Sequence, residues 1–168
     1  MTTEADGPGD VQRATDACLR LLALRARSRH ELQAALRRKG FSEKVQAQAL
    51  EKLQGFGYLD DARFAQDRAA ALLGKGRLGP EAVLQRLQAH GLEGEVAREA
   101  VSAAAGAVGF DALATARQVL ERRGLLGRPL APKERARAAR LLDSRGFAPD
   151  VIHRLLGDPS LDPSGLDD

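Results

Sequence analysis

Leu36-Arg37-Arg38-Lys39-Gly40-Phe41-Ser42-Glu43-Lys44-Val45 is written again in outline at Leu87 to Val96 and at Leu142 to Val151. A leucine stands four residues before Gly40, Gly91 and Gly146. A bulky apolar residue, Phe41, Leu92 or Phe147, follows each glycine, and Val45, Val96 and Val151 come four residues later. Ten residues past the glycines lie Leu50, Val101 and Leu156. This is the pattern of a helix, a glycine turn and a second helix, with glycine suited to the left-handed conformation that ends the first.

The glycines are 51 and 55 residues apart, more than a two-helix repeat needs, which leaves room for a third helix per copy. The candidates are Asp10 to Arg25, Asp61 to Leu73 and Ala112 to Arg123. The first two share a dileucine, Leu21-Leu22 and Leu72-Leu73, while the third is set back by an extra loop, Leu125 to Pro132. One such unit cannot bury its apolar face alone, so copies stack. The fold class predicted is all-α, with three tandem three-helix repeats at residues 10–57, 58–109 and 110–157 between acidic tails at 1–9 and 158–168.

Composition agrees. Of 168 residues 43% are hydrophobic and only 4% aromatic, in a palette of Ala, Leu, Arg, Glu and Gln that favours helices over strands. A single cysteine, Cys18, rules out an internal disulfide; among Ala17, Leu21 and Leu22 it reads as core. Glu4 and Asp6 in the first residues do not suit a signal peptide, and no run reaches the roughly 18 apolar residues of a membrane span. A cytosolic, soluble protein without membrane contact is expected.

Net charge is +3, but six of the 23 acids fall in the two tails and none of the 26 bases does, so the body between them carries +9. Its outer two repeats are basic and the middle one nearly neutral. Such a body suits a polyanion or an acidic protein surface. Arg37 and Arg38 lie off the apolar stripe of Leu32, Ala35 and Leu36; Lys133, Arg137 and Arg140 share one helix face.

Local signals place the helix starts. Ser28 with Glu31 forms a capping box, Ser42 can cap the following helix, and Pro80, Pro132 and Pro149 sit where a missing N–H does no harm. In Phe56-Gly57-Tyr58-Leu59-Asp60-Asp61-Ala62-Arg63-Phe64, Gly57 turns, Tyr58 and Leu59 pack, and Asp60 or Asp61 caps the next helix. Phe64 opens its apolar stripe.

Catalytic chemistry is not evident. His30, His90 and His153 occupy unrelated positions and no metal-ligand spacing exists. Gly74-Lys75-Gly76-Arg77-Leu78-Gly79 has the letters of a dinucleotide fingerprint but follows a helix rather than a strand, and reads instead as a hinge carrying two cations. With the aromatics mostly at apolar anchor positions, stacking platforms for single-stranded bases are lacking.

The stretch Phe56 to Ala65 resembles the signature of the RecX family of RecA regulators. The resemblance extends through Leu22 to Leu32, Gly79-Pro80 with Leu84 and Leu87, and Arg140 to Phe147, covering about residues 11 to 157. It implies three tandem three-helix repeats in an elongated, curved body. It further implies a non-enzymatic modulator, without cofactor, that lies along the RecA filament on single-stranded DNA. Such a modulator mainly inhibits ATPase, strand exchange and filament growth in the control of DNA repair and recombination. Relatives carry more cations and an aromatic where this chain reads Gly76-Arg77-Leu78-Gly79. On this analogy the partner contacts are Arg25, Arg27, Tyr58, Asp60, Asp61, Arg63, Arg68, Lys75 and Arg77. Arg37, Arg38, Lys133, Arg137 and Arg140 are candidate nucleic-acid or filament contacts, and single- or double-stranded DNA is a possible direct partner. The chain is taken as a monomer. A stand-alone helical-repeat DNA binder or a helical adaptor is the alternative.

Overall fold

Most helices here begin where the chain supplies a cap or a proline. The structure, a computed structural model, describes residues 7–92 and 94–157. Residues 1–6 and 158–168, which hold most of the two acidic tails, lie outside the described residues. The described residues form nine helices and no strand: α1 (Pro8–Leu24), α2 (Arg29–Arg38), α3 (Glu43–Gly55), α4 (Asp61–Gly74), α5 (Pro80–Ala89), α6 (Gly94–Ala107), α7 (Ala112–Glu121), α8 (Pro132–Ser144) and α9 (Pro149–Leu156). The α1 helix starts ahead of the expected Asp10 because Pro8 serves as its first residue.

The Ser28 hydroxyl accepts from Glu31 N–H at 3.2 Å while the Glu31 carboxylate accepts from Ser28 N–H at 3.1 Å, so the capping box at α2 is closed. Ser42, Asp60 and Asp111 cap α3, α4 and α7 by accepting from the N–H three residues on, at 3.3, 3.0 and 2.9 Å. Proline occupies the first turn of α5, α8 and α9. Gly40, Gly91 and Gly146 adopt φ of +83°, +75° and +79°, the left-handed turn predicted from their spacing.

Three apolar clusters follow the helix triplets. Ala14, Cys18, Leu32, Leu36, Val45, Ala49, Leu50 and Leu53 join α1 to α3, and Leu59 of the linker closes that cluster. Leu72, Leu73, Val83, Leu87, Leu92 and Val101 centre the second; Leu120, Leu142, Phe147, Val151 and Ile152 centre the third. The repeated leucines Leu36, Leu87 and Leu142 are each 0% exposed. Burial pushes the Cys18 thiol up to about 11, as befits a core residue rather than a nucleophile.

One repeat position departs from its expected role. Val45 and Val151 are buried, but Val96 is 42% exposed. The buried stripe of α6 runs Ala97, Ala100, Val101 and Ala104, which face Ala65 and Ala69 of α4 within the second cluster. Small side chains let two helices approach closely, and this pairing turns Val96 out of the core.

Candidate partner-binding surfaces

The Gly57 to Phe64 linker divides its work residue by residue. Gly57, at φ +77°, turns the chain off α3, and Tyr58 N–H donates to Leu53 O at 2.9 Å. Leu59 plugs the first core. Tyr58 does not pack beside it as predicted: its ring is 61% exposed, and Phe56 is 67% exposed. With alternation across an extended linker, Leu59 points inward and its neighbour outward. Two aromatic residues therefore stand at the surface on either side of Gly57, while Phe41, Phe64, Phe110 and Phe147 pack in or against the cores.

The paired aspartates have separate tasks. Asp60 caps α4, whereas the Asp61 carboxylate reaches back to accept from Arg29 N–H at 2.7 Å, at the start of α2. Arg29 also donates to Gln54 Oε1 at 3.1 Å. Across the same junction Ser28 Oγ donates to His90 O at 2.6 Å. Ser28 therefore caps one helix and ties two repeats together. Ser28→Ala should lower stability by about 1–2 kcal/mol, read from urea unfolding, through loss of both bonds.

Beside this junction a cavity of about 540 Å³ is lined by Arg25, Ala26, Phe64, Asp67, Arg68, Ala71 and His90. Phe64 meets the His90 ring edge-on, with centroids 5.8 Å apart. The lining joins apolar Ala26, Phe64 and Ala71 to the Arg25 and Arg68 guanidiniums and the Asp67 carboxylate, a mixture fit for a protein segment with apolar and charged groups. Arg25 is held across Glu31, at 2.8 Å. Arg27 donates to Leu21 O at 3.4 Å, at the carbonyl end of α1, and Arg63 lies 3.9 Å from Asp67.

The Arg25–Glu31 pair recurs at α8. Arg128 meets Glu134 at 2.5 and 2.9 Å, and Ala131 N–H donates to the same carboxylate at 3.1 Å. The hydrogen bond from Arg128, then that from Ala131, holds the Glu134 carboxyl at about 2. Burial alone would raise Glu31, but bonds from Arg25 and from Ser28 N–H outweigh it and leave Glu31 below the ordinary carboxylate range. A folded pKa below the unfolded one favours folding while the group is ionised. That contribution is complete above the unfolded value near ~4.3 and is lost as pH falls toward the folded value. Melting temperature should accordingly fall between about pH 4.5 and 2. Glu31→Gln and Glu134→Gln should each flatten that fall when melting is followed by circular dichroism.

A second concave surface lies where α4 to α6 meet α7 to α9. Arg77, Arg122, Arg123 and Arg145 surround a cavity of about 190 Å³ with Val119. Arg122 donates to Gly76 O at 3.2 Å, and no ion pair joins any of the four to a carboxylate among the described residues. Guanidiniums gathered without acids form an anion-binding surface of the kind that takes phosphodiesters bidentately. Of this group only Arg77 was legible in the sequence. Arg145 precedes the anchor Gly146 and Arg122-Arg123 end a helix, but nothing in their spacing announces that they meet. The Gly74 to Gly79 loop, read as a hinge, is tied here: Leu78 is buried and Gly79 N–H donates to Arg145 O at 2.8 Å.

The remaining predicted residues are spread out. Lys75 caps the end of α4, and Arg37 and Arg38 are exposed in the last turn of α2. Lys133, Arg137 and Arg140 are exposed along α8, far in sequence from the first cavity. The described residues contain no group of three or more His, Cys, Asp or Glu able to hold a metal ion. No helix among them is long and apolar enough to cross a membrane.

Fold and surfaces define a class: an all-α protein of tandem three-helix repeats whose junctions present basic cavities. Comparison with known proteins gives that class a family. A family model described as RecX, first three-helix domain, matches residues 14–53. The chain is 37% identical to the regulatory protein RecX of Halorhodospira halophila over 137 residues, 82% of each chain. It is also 37% identical to that of Stenotrophomonas maltophilia, over 86% of this chain and 83% of the relative. The crystal structure of RecX from Lactobacillus salivarius superposes with a TM-score of 0.73 at 18% identity, covering 92% of this chain and 99% of that one. The chain belongs to the RecX family.

Proposed function

We propose that this chain is a non-enzymatic regulator that binds the RecA filament on single-stranded DNA and mainly inhibits its ATP turnover, strand exchange and growth. Family membership carries the choice of partner, and the four acid-free arginines around the 190 Å³ cavity carry the mode of contact. A filament presents both protein and phosphodiester to whatever lies along it. The 540 Å³ cavity, lined by Arg25, Arg68 and Asp67, takes the protein component; the Arg77 cluster takes phosphate. Arg37, Arg38, Lys133, Arg137 and Arg140 add sequence-independent attraction from the outer repeats. The working units in this reading are residues 10–57, 58–109 and 110–157.

The test is RecA ATP hydrolysis on single-stranded DNA, with this chain added before or after filament assembly. Inhibition in both orders supports binding along formed filaments. Unchanged turnover together with unchanged strand exchange defeats the reading. A stand-alone DNA binder is favoured by the exposed Phe56 and Tyr58 rings, which offer bases a stacking surface. It predicts tight binding without RecA, with a log–log salt slope of about −0.7 per phosphate on single strands.

A further inference from the structure

Successive repeats meet through the same contact. The start of α2 docks on the turn at His90-Gly91, and the start of α5 docks on the turn at Arg145-Gly146. In the first contact Ser28 Oγ donates to His90 O at 2.6 Å, and His90 Nδ1 lies 3.5 Å from Glu31 Oε1. In the second, Gly79 N–H donates to Arg145 O at 2.8 Å and Glu81 N–H to Gly146 O at 3.2 Å. The approach is close enough to require glycine. A Cβ on Gly91 would fall 2.2 Å from His30 Cβ, and one on Gly146 would fall 2.1 Å from Ala82 N.

Each partner of this contact is left open once. At one end the Lys39-Gly40 turn has the same left-handed glycine, φ +83°, yet a Cβ there would meet none of the described residues within 4 Å. At the other end the start of α8 is uncovered by any described residue: Ala131, Pro132 and Lys133 are exposed, where Ser28 and Gly79 of the earlier repeats are buried. The two open surfaces also match in charge. Glu134 stands at the capping position of Glu31, and Lys39 stands before its glycine as His90 does. Docked as the internal repeats dock, they would bring an ammonium to a carboxylate.

We propose that the partner of these end surfaces is a second copy of this chain, joined head to tail, the start of α8 of one copy seated on the Lys39-Gly40 turn of the next. Such a heterologous contact does not saturate at two copies; it extends until a ring closes or the supply ends. The chain is monomeric when dilute and associates as its concentration rises, whatever else it binds.

Sedimentation velocity of the full chain alone, from micromolar to roughly 1 mM, tests this. The expected result is a sedimentation coefficient that climbs past that of a dimer. Carbodiimide should join Lys39 to Glu134, and isotope-mixed samples should show that link between molecules. Gly40→Asn keeps a residue that tolerates positive φ while adding the obstructing Cβ, so it should weaken association at least about tenfold with little change in melting temperature. Lys39→Glu, which leaves the turn glycine in place, should do the same by repulsion from Glu134. A single species across the whole range, or association that both variants leave intact, overturns the proposal. Neither result bears on RecA inhibition, which is read separately.

Discussion

Gly146→Val should unfold the protein at a temperature well below that of Gly40→Val, although the two glycines occupy the same place in the repeat and have nearly the same φ. Both substitutions force a β-branched residue into the left-handed region, at a cost of about 1–2 kcal/mol. For Gly40 that is the whole effect, since no described atom beyond its chain neighbours lies within 4 Å of the new Cβ. At Gly146 the Cβ meets Ala82 N at 2.1 Å and Ala82 Cβ at 2.5 Å, so backbone must move. Forcing extra volume into a packed contact typically adds about 1–3 kcal/mol. The bonds from Gly79 and Glu81 N–H to the Arg145 and Gly146 carbonyls are strained with it. A total of roughly 2–5 kcal/mol corresponds to a melting temperature lower by about 5–15 °C in a chain of this size. Gly91→Val should cost about as much as Gly146→Val, because its Cβ would fall 2.2 Å from His30 Cβ, an atom that the backbone fixes and no side-chain rotation moves away. Thermal unfolding of the three variants side by side checks the order, and equal losses would show that the inter-repeat contact adds nothing.

The double substitution Arg77→Ala with Arg123→Ala should weaken binding to single-stranded DNA, and to RecA filaments formed on it, without lowering the melting temperature. Both side chains line the 190 Å³ cavity, and neither has an ion-pair partner among the described residues, so the fold loses little. Each lost charge-assisted bond to phosphate is worth about a factor of ten in affinity. If each arginine meets one phosphate, the log–log salt slope should shrink by about 0.7 for each, roughly 1.4 in all. The concentration needed to inhibit RecA ATPase should rise in step. Replacing both by lysine should keep the salt slope while losing part of the affinity, because a point charge lacks the guanidinium's two-pronged geometry. An unchanged slope in the alanine pair would remove this cavity from the nucleic-acid contact.

The alanine-lined second repeat shows where pattern reading reaches its limit. Leu36, Leu87 and Leu142 could be placed in three cores from spacing alone, and all three are fully buried. Val96 obeys the same spacing and is exposed, because side-chain size along α4 and α6 sets how closely the two helices approach and so which residues face inward. Tyr58 is a similar case: its apolar body suggested packing, but Leu59 alone fills the available space. Asp60 and Asp61 were interchangeable as caps in the sequence, and only the return of the chain to Arg29 separates them.

By itself the sequence determined what depends on neighbours along the chain: the nine helices of the described residues, several of their caps and prolines, the left-handed glycine turns, and the threefold repetition that forces the helices to stack. These follow from local hydrogen bonding and from a period that repeats on one face. Only the tertiary structure decided which surfaces meet. It set the start of one repeat on the glycine turn of the next, gathered Arg77 with Arg122, Arg123 and Arg145 across 68 residues of chain, and left one turn and one helix start uncovered by any described residue at the ends. Those outcomes depend on the rigid placement of whole helices, to which every core residue contributes and which no local stretch encodes.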